Sequence, residues 1–202
     1  MAQDGHRQVS IARVAAGKYA VTNERGGTIA VGTGGGGGDF TPVELLLAAI
    51  GTCTSADVDV LTSRRAEPVS FTVDVGAEKV HDLVGNRLKD IAVTFHVSFP
   101  AGEGGDAARA LLPGAVRRSH DSLCTVGKTV ELGTPIATEI APVGRLDPEQ
   151  RTSADRLKAA LRDNPADAGV ADDLERVHED LGSASGGEVA RRIILDADGH
   201  AH

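Results

Sequence analysis

The chain has 202 residues, of which 41% are hydrophobic and 25% charged, so it is long enough for one substantial globular domain and an appendage. Its net charge of −8 argues against a nucleic-acid-binding surface, which is normally basic. The N-terminus has no apolar stretch and no apolar run approaches roughly 20 residues, so we expect neither a secretory signal nor a membrane helix. We therefore expect a cytoplasmic protein, in which two cysteines are more often inert, metal-binding or redox-active than a permanent disulfide.

The N-terminal part predicts a small antiparallel sheet. Residues 7–32 contain RQVSIARV, KYAVTN and GTIAVG, three short segments with β-branched residues that are separated by glycine or asparagine. This pattern is typical of a strand meander, with NERGG as one of its turns. The five consecutive glycines from Gly34 to Gly38 then predict a flexible connector.

A long helix is predicted to follow over TPVELLLAAIGTCTSADVDVL, residues 41–61, and to continue to about Arg65. Thr41 is a good N-cap, Pro42 suits the first helical turn, and Glu44 places a negative charge where a helix start favours it. Helical spacing puts Cys53 on one apolar face that we expect to be buried, together with Leu46, Ala49, Ile50, Ala56 and Val60. Asp57 interrupts this face, and we interpret it as the point where the face meets solvent.

The middle of the chain predicts a hairpin and then a second helical region. VSFTVDVGAEKV and RLKDIAVTFHVSF alternate apolar and polar residues, which indicates two long strands with a turn near DLVGN. We expect helix from about Asp106 to Leu132, broken at Pro113-Gly114, and a closing strand in TPIATEIAPV. Residues 1–144 therefore form an α+β domain, and the charged segments of 145–202 form a helical C-terminal appendage that docks on this domain or on a partner subunit.

Two candidate sites are disfavoured by the residue spacing. CTVGKT contains Gly-Lys-Thr, but a phosphate loop needs a glycine where this chain has Ser122. Neither the terminal pair His200 and His202 nor two single cysteines match the spacing of a zinc site. His120 lies four residues before Cys124 and either orients that thiol or faces solvent.

The two cysteines leave packing and chemistry both open. Cys53 alone behaves like a small apolar residue, but Cys124 also lies in or beside a helix, so two helices could oppose two thiols. A buried thiol reacts poorly, and a reactive Cys53 would need a nearby cation held by a carboxylate. Arg25 in the NERGG turn and Glu44 are candidates for this pair, although a solvated turn residue and a helix-start charge explain them equally well.

The pattern Pro-x-Glu-Leu-Leu-Leu-Ala-Ala-x-x-x-Cys, with a second helix ending in Cys-x-Val and a closing strand, resembles the OsmC/Ohr superfamily of osmotically inducible and organic-hydroperoxide-resistance proteins. The resemblance covers about residues 8–143, and the appendage has no counterpart in it. It implies an OsmC-like α+β fold, in which antiparallel sheets wrap central helices in an intertwined homodimer. Two active sites would then lie at the subunit interface.

The resemblance also implies a thiol peroxidase without metal, haem or other cofactor. Cys53 would attack a hydroperoxide and become a sulfenic acid, Cys124 would condense with it to a disulfide, and a dithiol reductant would restore both thiols. Glu44 and Arg25 would form the carboxylate–arginine pair, with Arg13 as second choice for the arginine. In the best-characterised branches the carboxylate directly follows the proline, where this chain has Val43. The alternative is a non-catalytic OsmC-like stress or binding protein that holds a small apolar ligand at the dimer interface.

Overall fold

The computed structural model describes residues 5–34, 37–140, 151–152, 155–156, 158–159 and the backbone of 191–194. The chain divides into two compact units. The first combines Met1–Pro42 with Pro135–His202, and the second is Val43–Thr134. Helices and antiparallel sheets are both present, which confirms the predicted α+β class.

The first unit begins with the predicted meander. Strands β1 (Val9–Ala15), β2 (Lys18–Asn23) and β3 (Thr28–Gly32) form an antiparallel sheet in the order β1-β2-β3. The NERGG turn is built by Asn23, whose Oδ1 accepts the backbone N–H groups of Arg25 at 2.9 Å and Gly27 at 3.1 Å. A side chain that bonds its own backbone a few residues on is the usual reason for asparagine at a turn.

The second unit contains α1 (Pro42–Thr62), the hairpin strands β4 (Ser70–Asp82) and β5 (Gly85–Ser98), and α2 (Glu103–Arg118). A π-helical turn, Ser119–Leu123, follows and is called the π-turn below; α3 (Thr125–Glu131) completes the unit. The predicted long hairpin is confirmed, because β4 and β5 pair antiparallel from Ser70 to Asp82 with one irregularity between Gly76 and Glu78.

The first unit also holds a two-stranded sheet. Strand β6 (Ala137–Ile140) lies in the predicted closing strand and pairs antiparallel with β7 (Arg191–Ile194). Residues 151–152, 155–156 and 158–159 are helical. The rest of 145–202 lies outside the described residues, so the helical appendage stays a prediction, with β7 as a strand inside its range.

The buried face of α1 differs from the predicted one. The buried residues are Ile50, Gly51, Thr54, Val58 and Thr62, whereas Leu46 is 38% and Val60 54% exposed. The cause is the contact of Gly51 with β4, since a Cβ atom at Gly51 would lie 2.6 Å from Cγ2 of Val75. The helix therefore turns its small residue towards the hairpin, and Cys53 lies half-buried at the margin of the buried face.

By length and composition alone α1 is also long and apolar enough to cross a bilayer, with a mean hydropathy of 1.4. The expectation that no stretch approaches membrane-spanning length was therefore wrong on these criteria. The core helix of a soluble protein meets the same criteria, so the helix gives only weak support for a membrane span.

The second helical region does not break at Pro113-Gly114 as predicted. Helix α2 continues through Pro113 to Arg118, and the regular helix ends at the π-turn instead. There the N–H of Cys124 bonds the carbonyl of Ser119 at 2.9 Å, one residue further back than in an α-helix. Cys124 itself is extended, with φ −67° and ψ 100°, so the chain changes direction at this cysteine.

Candidate active site

Cys53 and Cys124 lie side by side in the second unit. Cys53 is a half-buried residue of α1, and Cys124 is the 2%-exposed residue between the π-turn and α3. Both are free thiols. They are neighbours in space, because Thr54, the residue that follows Cys53, has its Oγ1 3.5 Å from the Cys124 sulfur, and each thiol shifts the pKa of the other. The structure thus brings together the two thiols that the sequence placed on separate helices.

Cys124 is surrounded by hydrogen-bond donors. Thr54 Oγ1 lies 3.5 Å and the backbone N of Gly127 lies 3.2 Å from its sulfur. The neighbouring Cys53 thiol acts on the pKa of Cys124 in the same direction as these two donors. Burial is the largest single influence and raises the pKa of Cys124, but the donors act in the opposite direction and together prevail. The pKa of Cys124 is therefore lowered.

The environment of Cys53 has the opposite balance. Burial raises the pKa of this thiol, and the hydrogen bond with Cys124 raises it further. The backbone N–H groups of Val126 and Thr125 lower it, but not enough to compensate. The pKa values of the two thiols are thus shifted in opposite directions, so Cys124 ionises more readily than Cys53.

The CTVGKT segment therefore has a definite place in the site. Its residues from Thr125 onwards form α3, and the N–H groups of Thr125, Val126 and Gly127 all act on the two sulfurs. Gly127 is in close contact, since a Cβ atom there would lie 3.3 Å from the Cys124 sulfur. The backbone N–H groups in the first turn of this segment thus face the cysteine sulfurs, and that of Gly127 donates a hydrogen bond to the sulfur of Cys124.

Asp57 and Ser119 form a polar contact that the sequence interpretation missed. Ser119 Oγ donates to Asp57 Oδ2 at 2.7 Å, and Ser119 is completely buried. Asp57 is partly exposed, as expected where the helix face meets solvent, but its carboxylate also accepts this buried hydroxyl and its charge raises the pKa of Cys124. A signal was present, since Asp57 lies one helical turn beyond Cys53 and Ser119 five residues before Cys124.

The predicted carboxylate–arginine pair remains a prediction. Glu44 is exposed in the first turn of α1, in the same unit as the cysteines. Arg25 is exposed in the β2–β3 turn and Arg13 is exposed on β1, both in the first unit. His120 is also exposed, with its Nδ1 3.4 Å from Glu131.

No group of three or more His, Cys, Asp or Glu side chains suited to hold a metal ion occurs among the residues that the structure describes. The arrangement found there is two adjacent thiols with several hydrogen-bond donors. Such a pair can form a disulfide, and one of its members can react with an oxidant first.

A protein family and individual sequences match this chain. The sequence profile of the family described as OsmC-like protein matches residues 34–139, more than half of the chain. An uncharacterized protein of Mycobacterium tuberculosis (strain H37Rv) is 27% identical over 137 residues, which cover 68% of this chain and 98% of that protein. An uncharacterized protein of Mycobacterium bovis matches to the same extent.

Solved structures show the same fold. A hypothetical protein from Aquifex aeolicus VF5 matches with a TM-score of 0.52 at 20% identity, over 64% of this chain and 89% of that one. An OsmC-like protein of unknown function from Vibrio cholerae matches with a TM-score of 0.53 at 11% identity, over 63% of this chain and 94% of that one. The family resemblance noted in the cysteine helices is thereby confirmed, and the chain belongs to the OsmC-like protein family.

Proposed function

We propose that this protein reduces hydroperoxides, organic ones included, with the Cys53–Cys124 pair, and that it acts in defence against oxidative stress. The observation that carries the proposal is the close approach of two free thiols, one half-buried and one buried, from elements far apart in the sequence. Membership of the OsmC-like family supports it.

In the proposed reaction Cys53 meets the peroxide, because it is the more exposed sulfur. It first loses its proton to the neighbouring Cys124 sulfur, which ionises more readily and can take up the proton as a thiolate. The Cys53 thiolate then attacks the terminal peroxide oxygen, so that a sulfur–oxygen bond forms and the oxygen–oxygen bond breaks. The alcohol leaves after taking a proton from solvent, and Cys53 is left as a sulfenic acid.

Cys124 closes the oxidative half of the cycle. Its sulfur attacks the Cys53 sulfenic sulfur, a disulfide forms, and the hydroxyl group leaves as water with the Cys124 proton. The two thiols have then supplied the two electrons that reduced the peroxide, and a dithiol reductant returns them by thiol–disulfide exchange. These steps use no metal and no haem.

We further propose that Glu44 and Arg25 act on Cys53 as the carboxylate–arginine pair, with Arg13 as the second choice for the arginine. A guanidinium near Cys53 would favour its thiolate, which the rest of its surroundings disfavour. Arg25→Ala with Arg13→Ala as its comparison tests this assignment. We expect the first variant, and not the second, to slow peroxide reduction and to shift its pH profile upwards.

A homodimer is the proposed assembly. In the single chain Leu46 and Val60 are exposed on α1, and Leu83 and Val84 are highly exposed at the hairpin tip. Exposed apolar groups of this size favour burial against a partner, and the resemblance to the OsmC/Ohr superfamily implies an intertwined dimer. Light scattering after gel filtration should give twice the chain mass of 20.8 kDa, and a monomer would refute the assembly.

The activity is tested by following peroxide consumption with a dithiol reductant. Cys53→Ser should abolish turnover, whereas Cys124→Ser should leave a sulfenic acid on Cys53 that dimedone traps. Ser63→Ala is a suitable control, because Ser63 is partly exposed at the end of α1 and its hydroxyl bonds the carbonyl of Asp59. If the wild-type protein consumes no organic hydroperoxide, the proposal is wrong.

The roles of the two cysteines can be separated in the same experiment. The lowered pKa of Cys124 makes this thiol the competing nucleophile. The rate of sulfenic acid formation should therefore be compared, by mass spectrometry, between the Cys53→Ser and Cys124→Ser variants. An adduct on Cys124 in the Cys53→Ser variant, formed at the wild-type rate, would reverse the assignment.

The raised pKa of Cys53 favours a second candidate, a non-catalytic stress or binding protein that holds a small apolar ligand. On this view the cysteines are packing residues. Thiol titration after mild peroxide treatment distinguishes the two candidates, because two thiols that never form an internal disulfide would support the binding protein.

A further inference from the structure

Ser119 connects α1 to the π-turn through two hydrogen bonds. Its hydroxyl donates to Asp57 Oδ2 at 2.7 Å, and its backbone carbonyl accepts the N–H of Cys124 at 2.9 Å. The side chain is completely buried, and the two hydroxyl partners are 62 positions apart in the sequence. A continuous polar path therefore leads from Asp57 on α1 to the backbone of Cys124.

We propose that Asp57 and Ser119 are positioning residues for the cysteine pair. Their hydrogen bond holds the π-turn against α1 and so keeps the Cys124 sulfur beside that of Cys53. The inference rests on the proposed function in one respect, which is that the two sulfurs react with each other.

The shape of the π-turn explains why such a contact is needed. A π-helical turn, in which each N–H bonds the carbonyl five residues earlier, is rare in proteins. We therefore expect contacts with the rest of the fold to stabilise it. This turn ends at Cys124, so a change in the turn moves the sulfur. Short hydrogen bonds to a carboxylate are about twice as strong as neutral ones, which suits Asp57 to this task.

Asp57 has a second, electrostatic effect that makes its role measurable. Among the described residues the titratable groups that act on Cys124 are Cys53 and Asp57, and the negative charge of Asp57 opposes a thiolate on Cys124. Asp57→Asn removes the charge but keeps an oxygen that accepts the Ser119 hydroxyl. Ser119→Ala removes the hydrogen bond but keeps the charge. The two variants thus separate position from charge.

The experiment measures the equilibrium between the reduced protein and its Cys53–Cys124 disulfide in a dithiol redox buffer, without peroxide. We expect Ser119→Ala to lower the constant for disulfide formation about tenfold, because the reduced protein is then no longer held in the π-turn geometry that the disulfide needs, and the free energy that held it is that of one hydrogen bond to a charged group. Ser122→Ala is the matched control, because Ser122 lies on the same π-turn and is exposed, and its hydroxyl bonds only the carbonyl of Arg118. We expect this control to stay within about twofold of the wild type, which is the size of a surface effect.

The pH profile supplies a readout that a purely structural role would not move. Asp57→Asn should keep the disulfide constant within about threefold, since the hydrogen bond is kept. It should also let Cys124 ionise at lower pH, as followed by thiolate absorbance in a Cys53→Ser background. Asp57→Glu keeps the negative charge, so Cys124 should ionise in this variant at the same pH as it does with Asp57.

Removal of both partners guards against a folding artefact. A partly buried carboxylate that has lost its hydrogen bond destabilises a protein, whereas Asp57→Ala combined with Ser119→Ala leaves no unpaired group. This double variant should fold, as checked by urea unfolding of the reduced protein, and should still disfavour the disulfide. A Ser119→Ala protein that is folded and forms the disulfide with the wild-type constant overturns the proposal, as does a wild-type protein that forms no disulfide. A normal disulfide without peroxide turnover would instead refute only the proposed function.

Discussion

The hydroxyl of Thr54 offers the sharpest test of how the fold controls the Cys124 sulfur. Thr54 is buried on α1, and its Oγ1 lies 3.5 Å from the Cys124 sulfur and 2.9 Å from the carbonyl of Ile50. Valine has nearly the same shape without the hydroxyl, so Thr54→Val removes the donor and leaves the packing largely unchanged. We expect the thiolate of Cys124 to become less favourable.

The size of the effect follows from the geometry. Hydrogen bonds to charged groups contribute about 1.5–3 kcal/mol, and typical neutral ones about 1 kcal/mol. The Thr54 contact is long and its hydroxyl also serves Ile50, so we take about 1 kcal/mol as the loss for the thiolate. At a fixed pH this loss corresponds to a ratio of thiolate to thiol about fivefold lower.

The assay is a titration of thiolate absorbance in a Cys53→Ser background, in which Cys124 is the only thiol. Thr52→Val is the matched control, because Thr52 lies on the same helix and bonds the carbonyl four residues earlier at 2.7 Å, but is exposed. If Thr54→Val titrates like this control, the hydroxyl does not stabilise the Cys124 thiolate and the reasoning is refuted.

Two further predictions concern stability. Gly51→Ala should destabilise the protein by about 1–3 kcal/mol in urea unfolding, because the new Cβ would lie 2.6 Å from Val75 Cγ2. Gly114→Ala on α2, with nothing within 4 Å of its Cβ position, should instead stabilise by about 0.5–1 kcal/mol, and equal signs for the two variants would contradict this reading. The hydrogen bond from Arg87 lowers the pKa of Asp82. The ionised Asp82 should therefore contribute fully to the stability of the fold above the ordinary carboxyl pKa of about 3.9, and this contribution should be lost as the pH falls through the lowered pKa. Asp82→Asn should therefore flatten the acid side of the stability–pH curve, and parallel curves would disprove the assignment.

Local patterns were enough to predict most elements. The alternation in β5, the turn chemistry of Asn23 and the Pro42 start of α1 each depend on neighbours in the sequence, and the structure has these elements where they were expected. The helix break was predicted at the wrong place, because Pro113 is the local signal for an interruption. The chain instead continues as a helix through Pro113 and is interrupted at the π-turn. A π-turn has no comparable sequence signature.

The buried face of α1 shows a different limit. Helical periodicity identifies apolar faces, but which of them is covered depends on what packs there. Gly51 is in contact with Val75, and this contact turns Ile50 and Thr54 inward while Leu46 stays exposed. No local signal connects residue 51 with residue 75.

The sequence by itself determined that two cysteines lie on or beside helices, and its Pro-x-Glu-Leu-Leu-Leu-Ala-Ala pattern indicated the family. Only the tertiary structure decided which groups surround the sulfurs: Thr54 and Gly127 as donors to Cys124, Cys53 as its neighbouring thiol, and Asp57 bound to Ser119. The physical reason is that a thiol responds to hydrogen bonds and charges within a few ångströms, and these partners lie up to 71 positions away along the chain (Cys53 to Cys124). Residue types and spacing set what the cysteines can do, and packing sets which of the two thiols ionises more readily.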